Sequence, residues 1–132
     1  MSLRYMLDTD TVSFALRGVG SVARKILEVK PSEVCISSLT LAELRFGAER
    51  RRSRRLHRMI TEFTSPLLVA PFDTDAADRF GQVGAVLARA GTPIGQLDTL
   101  IAAHALALGV TLVSNNARHF ERVRGLQTEN WL

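Results

Sequence analysis

The chain has 132 residues, 46% hydrophobic and 23% charged, which suits one domain with a sizeable core and excludes wholesale disorder. Its 17 Lys and Arg against 13 Asp and Glu give a formal charge of +4, and only Lys25 and Lys30 are lysines; such an arginine-dominated surface suits phosphates, although an excess this small is also common elsewhere. The single cysteine, Cys35, lies in an apolar run, which excludes an internal disulfide or a cysteine-built zinc site, and no apolar run has signal-peptide or membrane-span length; the chain suits a reducing cytoplasm.

Leu3 to Leu7 reads as a short buried strand that ends abruptly in Asp8-Thr9-Asp10. Thr11 to Arg17 reads as a short helix closed by Gly18, and Val22 to Val29 as a second amphipathic helix ended by Pro31. Val34 to Ile36 is the second strand. Leu39 to Glu49 is helical, with Gly47 inside it, and six arginines follow: Arg50, Arg51, Arg52, Arg54, Arg55 and Arg58. Leu56, Met59, Ile60 and Phe63 form the apolar stripe of the next helix. Leu67 to Ala70 is a third strand. Asp73 to Ala90 is the longest helix, capped by Asp73 or Thr74. After the loop Gly91 to Gly95, Asp98 to Leu108 is apolar nearly all round and predicts a buried helix stopped by Gly109. Val110 to Val113 is the fourth strand, Leu126 to Thr128 an edge strand, and Trp131 docks the C-terminus. Strands alternating with helices predict an α/β fold with a parallel sheet of four to five strands flanked by helices on both faces, with no repeat or domain linker.

In such a sheet, strand ends and the starts of the following helices share one rim. Asp8 ends strand one, Glu43 lies early in the helix after strand two, and Asn115 and Asn116 leave strand four. Asp98 joins them only if its helix starts near that rim. Taken one at a time, these residues are more often caps: Asp10 and Asp98 as N-caps, Thr40 to Glu43 as a capping box. Asp8 and Asp98 resist that reading, because both are flanked by apolar segments and an unpaired buried carboxylate is costly. A divalent cation accounts for several carboxylates at one rim, and oxygen-only ligands favour Mg²⁺ or Mn²⁺ over Zn²⁺. Ser114-Asn115-Asn116 either completes the site or merely turns the chain. His104 reads as a hydrogen-bonded core residue, and neither His57 nor His119 has the partner of a zinc helix. There is no Walker loop, nucleophile elbow or catalytic cysteine setting. The arginine run reads first as a solvated helix face, and otherwise as a phosphate-tracking or partner-docking surface. Arg118, Arg122 and Arg124, just past strand four, are the better placed to hold a polynucleotide.

Several segments together resemble the PIN-domain ribonucleases, and specifically the VapC-type toxins of bacterial toxin–antitoxin pairs. They are Met6-Leu7-Asp8-Thr9-Asp10, Ser38 to Leu44 with Gly47, Gly95 to Ala105, Leu112 to Phe120, and the ending Gly125 to Trp131. The resemblance spans essentially the whole chain in order. It implies a PIN-like three-layer fold and a Mg²⁺- or Mn²⁺-dependent endoribonuclease. It also implies a cognate antitoxin, commonly a homodimer, and structured RNA such as tRNA as substrate. The family's acids map onto Asp8, Glu43 and Asp98. This chain departs from the pattern twice: Asp10 stands where many relatives carry Asn, and Asn116, or less favourably Asn115, stands in the place of a fourth acid. The second departure weakens the case for a full second metal site, because a neutral amide binds a hard cation less strongly.

The expected chemistry is hydrolysis of an RNA phosphodiester bond. Asp8, Glu43 and Asp98 hold the cation, Glu43 orients or deprotonates water, and Asn116 with Ser114 positions ligands or solvent. Two rivals stand beside it. One is a haloacid-dehalogenase-like phosphatase using Asp8 as nucleophile, which needs a later phosphate-binding cation and a further acidic pair. The other is a non-catalytic nucleic-acid or protein-binding module using the arginines, poorly supplied with stacking aromatics at 6% of the chain.

Overall fold

The computed structural model describes residues 2–132. Five strands form one parallel sheet in the order β3-β2-β1-β4-β5: β1 (Tyr5–Leu7), β2 (Val34–Ser37), β3 (Leu68–Ala70), β4 (Thr111–Val113) and β5 (Thr128–Glu129). Helices α1 (Thr9–Arg17) and α2 (Val22–Leu27) link β1 to β2, and α3 (Ser38–Arg50) and α4 (Arg54–Thr64) link β2 to β3. The long connection from β3 to β4 holds α5 (Thr74–Ala90) and α6 (Gln96–Leu108), and α7 (Ala117–Phe120) precedes β5. The chain therefore steps outward from β1 through β2 to β3, then returns to lay β4 on the other side of β1. That reversal is the topological switch point, where open α/β sheets bind ligands at the carboxyl ends of their strands.

The strand period of two divides the core between the two faces of the sheet. Met6, Cys35 and Leu112 face α5, α6 and α7, packing with Leu87, Ile101, Ala105 and Phe120. Tyr5, Leu7, Val34, Ile36 and Val113 face the α1–α4 side, packing with Val12, Val22, Leu44 and Ile60. Helix α6 is buried over Thr99 and Ile101–Ala105, as its all-round apolar sequence requires. Cys35 is fully buried, and desolvation pushes its thiol up to about 12, so it is an inert thiol of the core. Trp131 is buried edge-on against Tyr5 at 5.0 Å and clasped by the Ser21 hydroxyl, which donates to its carbonyl at 3.0 Å. No helix among the described residues is long and apolar enough to cross a membrane.

Several local expectations are corrected. Asp10 does not cap α1: the helix starts one residue after Asp8, whose own side chain accepts the Thr11 N–H. The Thr40–Glu43 capping box is absent, because Ser37 caps α3 through the Leu39 N–H and leaves Thr40 buried inside the helix. Nor does Asp98 cap α6. That helix opens at Gly95, whose φ of 95° favours glycine, and Gly95 O accepts the Thr99 N–H, so Asp98 lies within the first turn. The six arginines do not share one helix face either. Arg50 ends α3, Arg52 turns the corner at φ 51°, and Ser53 caps α4 just before Arg54. All six are exposed, as the solvated reading requires. The last strand lies at Thr128–Glu129, and the short helix α7 occupies a stretch that carried no helical expectation.

Candidate active site

Asp8 leaves the carboxyl end of the central strand at the switch point. Its backbone N–H donates to Val113 O at 3.0 Å, and the Thr11 hydroxyl donates to the same carbonyl at 3.0 Å, so β4 fixes the start of α1. The Asp8 carboxylate is only 8% exposed and accepts the Thr11 N–H at 2.9 Å and a bond from the Ser114 hydroxyl. Burial still wins: desolvation pushes the carboxyl above its ordinary value, against the Ser114 and Thr11 hydrogen bonds, and the charge of Asp10 adds to the rise.

Glu43 lies one and a half turns into α3, where helical geometry aims it back at the strand ends. The Thr9 hydroxyl bonds its Oε1, with the Thr40 hydroxyl 3.4 Å from that of Thr9. Asp98 comes from the first turn of α6. Its helix starts at the rim, the condition on which its membership of the cluster rested. Burial raises its carboxyl above the ordinary value, His119 pulls it back, and the charges of Asp8 and Asp10 raise it again. The His119 Nδ1 stands 3.1 Å from Asp98 Oδ2.

Asp8, Asp10, Glu43 and Asp98 line one pocket of about 190 Å³ together with Thr9, Leu97 and Ile101. The donor set is all oxygen and partly desolvated, with no arginine or lysine in the lining, and so fits a hard divalent cation. As the side chains stand, no three His, Cys, Asp or Glu groups among the described residues are close enough to share one ion. Thr9 engages Oε1 of Glu43 and His119 faces Oδ2 of Asp98, which leaves Oε2 of Glu43 and Oδ1 of Asp98 without a hydrogen-bond partner among the described residues.

Asn116 lies outside this pocket, exposed, and reaches it only through His119: its side-chain amide is 2.7 Å from Nδ1 of that ring. Asn115 is exposed beside it. Thr9 and His119 also belong to the site; both lie inside the segments that carry the resemblance, which assigns neither of them a role. The one signal for His119 is its three-residue spacing from Asn116, which brings side chains together only once α7 is known to be helical. The Arg122 guanidinium donates to Pro93 O at 3.1 Å and lines, with Arg79 and Arg124, a separate cavity of about 200 Å³, so Arg122 and Arg124 do not border the acids. The arginines that do adjoin them are Arg17 and Arg51, in a cavity of about 330 Å³ that shares Thr9, Asp10 and Glu43 with the acidic pocket. Gly47 lies in its wall, where a side chain would project into open space.

The family model "PIN domain" matches residues 5–126. The chain is 42% identical over 130 residues to the tRNA(fMet)-specific endonuclease VapC of Salmonella typhimurium, with 98% of each chain covered. It is 40% identical over 137 residues to Ribonuclease VapC2 of Haemophilus influenzae, covering 98% of this chain and 99% of the relative. Its fold matches the toxin–antitoxin assembly described as DNA-bound VapBC from Salmonella typhimurium with a TM-score of 0.88, at 42% identity and with 98% of this chain and 99% of that chain covered. It matches VapBC2 from Rickettsia felis bound to a promoter DNA fragment with a TM-score of 0.89, at 30% identity and full coverage of both chains. The acidic pocket at the switch point of this sheet thus sits in a chain that belongs to the PIN-domain family and, within it, to the VapC ribonuclease toxins.

Proposed function

We propose that the chain is an endoribonuclease that hydrolyses RNA phosphodiester bonds with Mg²⁺ or Mn²⁺ held by Asp8, Glu43 and Asp98. The observation that carries this reading is the convergence of these acids, far apart in sequence, on one pocket at the switch point. A bound cation would offset charge on the attacked phosphate and acidify water. The chain's own residues do the rest. Asp8 offers a carboxylate fixed by backbone. Glu43, held by Thr9, orients water and accepts its proton. Arg17 and Arg51 offer guanidinium groups to flanking phosphates across the adjoining cavity.

Structured RNA such as tRNA is the substrate class, in line with the tRNA(fMet)-specific Salmonella relative. The partners are a cognate antitoxin, as in the VapBC complexes, and a second copy of the chain. Exposed Phe46, Leu68 and Val86 supply apolar surface for such contacts. A nuclease of this kind works in the cytoplasm, where its RNA is. The test is cleavage of a tRNA pool by the purified chain with Mg²⁺, with EDTA, and by Asp8→Ala and Asp98→Ala. Cleavage that survives EDTA, or folded variants that cut at the wild-type rate, would refute the reading.

A further inference from the structure

We propose that the segment Ser114–His119 is a brace that sets the positions of Asp8 and Asp98, with His119 and Asn116 as positioning residues rather than cation ligands. The inference rests on the reading of Asp8 and Asp98 as ligands of a divalent cation. The brace is a run of short polar contacts. At one end the fully buried Ser114 hydroxyl donates to Asp8. The same oxygen accepts the Asn116 N–H at 2.9 Å. Asn116 O accepts the His119 N–H at 3.0 Å, which winds α7 and carries the imidazole back over its own side chain. At the other end His119 Nδ1 meets Asp98 Oδ2 at 3.1 Å and the Asn116 amide at 2.7 Å.

Proton placement follows from these contacts. In the brace the ring proton sits on Nδ1, which faces the Asp98 carboxylate at 3.1 Å. The Asn116 amide faces the same N–H and therefore presents its oxygen, a half-turn of the amide that leaves its position unchanged. His119 is then the Nδ1–H tautomer, oriented from behind by Asn116. Its ring is 29% exposed and tilted against Phe120, a core residue that anchors it. Asp98 needs such a brace because its own side chain is 40% exposed and nothing else among the described residues hydrogen-bonds or ion-pairs with it. The Asn116 amide supports the ring without adding a further charge beside the acids.

The test is Mn²⁺ affinity by calorimetry, in the absence of RNA, for the full-length protein and for His119→Ala, Asn116→Ala and His119→Asn. Asparagine places its amide nitrogen where Nδ1 stands and has nothing at the position of Nε2. His119→Ala should weaken Mn²⁺ binding by about 10–100-fold, as loss of an outer-shell partner does. His119→Asn should restore it to within about threefold, and Asn116→Ala should fall between. If His119→Asn binds as poorly as His119→Ala, the ring acts through Nε2 as a ligand and the brace is refuted; wild-type affinity in His119→Ala refutes it equally. A long-range ¹H–¹⁵N spectrum of the cation-free protein adds a readout that needs no cation. It should show His119 protonated on Nδ1, and an Nε2–H tautomer overturns the proposal. Failure of the wild type to bind Mn²⁺ at all, with the Nδ1–H tautomer present, sinks the cation reading and leaves the brace standing.

Discussion

Asp8 and Asp98 face one pocket, but they are held there by different physics. Asp8 is placed by the chain itself: it ends the central strand, caps α1, and receives backbone N–H and buried hydroxyl bonds. Asp98 is placed by an N-terminal turn opened by Gly95, and its carboxylate is held by one half-buried side chain, His119. The first acid is preorganised at the cost of desolvation. The second is held by one contact that a single substitution can release.

The largest effect should come from removing either acid: Asp8→Ala and Asp98→Ala each lower RNA cleavage by more than the roughly 10–100-fold that outer-shell partners cost. The two then separate in stability. Asp8→Ala also removes an N-cap, costing about 1 kcal/mol by urea unfolding, whereas Asp98→Ala leaves the cap of α6 untouched. Equal destabilisation by both would break the comparison.

A subtler separation comes from Asp8→Asn, which keeps a capping side chain. Burial raises the Asp8 carboxyl above its unfolded value, so the folded state binds its proton more tightly. The corresponding stability is present below the unfolded value near 3.8 and is lost as pH rises through the folded one. At neutral pH, Asp8→Asn should therefore melt higher than the cation-free wild type. Added Mg²⁺ should raise the wild type and leave the variant unchanged. A lower melting temperature for Asp8→Asn in EDTA would mean that hydrogen bonds to the charged carboxylate outweigh its burial.

His104 is a control from the scaffold behind the rim. Ser37 Oγ accepts the Leu39 N–H and lies 2.9 Å from His104 Nδ1, while Nε2 of this buried ring has no hydrogen-bond partner among the described residues. Burial lowers this imidazole below its ordinary 6.5, with Asp73 and the Pro71 carbonyl opposing. The neutral ring is the native form, and stability should fall as pH drops from 6.5 through the folded value. His104→Leu should lose about 1–2 kcal/mol near pH 8, by stranding the Ser37 hydroxyl, and should show a flatter acid limb. An acid limb as steep as the wild type's would assign that titration elsewhere. The smallest effect belongs to Asp10, which is exposed and makes no side-chain hydrogen bond among the described residues. Asp10→Asn should change stability by less than about 0.5 kcal/mol and cleavage by less than about threefold. A loss as large as that of Asp8 would make Asp10 a ligand.

Much of this was legible in the sequence. Short apolar runs alternating with helical periodicity specified a parallel sheet, because each strand buried on both faces must be continuously apolar. Asp8 could be placed from local pattern alone, since a strand that stops at an acid followed by a helix has only one end to put it at. Asp98 could not: its membership depended on where α6 begins, and that follows from how α5 and α6 fold back on the sheet. Arg122 and Arg124 looked close to the acids because they are close in sequence, yet Arg122 turns to Pro93 while Arg17 and Arg51, distant in sequence, border the site.

The sequence by itself determined the buried strands, their alternation with helices, and the family, because these rest on local propensity and on residue identity in register. Only the tertiary structure decided that His119 holds Asp98 and that Asn116 stands behind the ring. Those contacts join side chains across α6 and α7, through a one-turn helix too short to announce itself by periodicity.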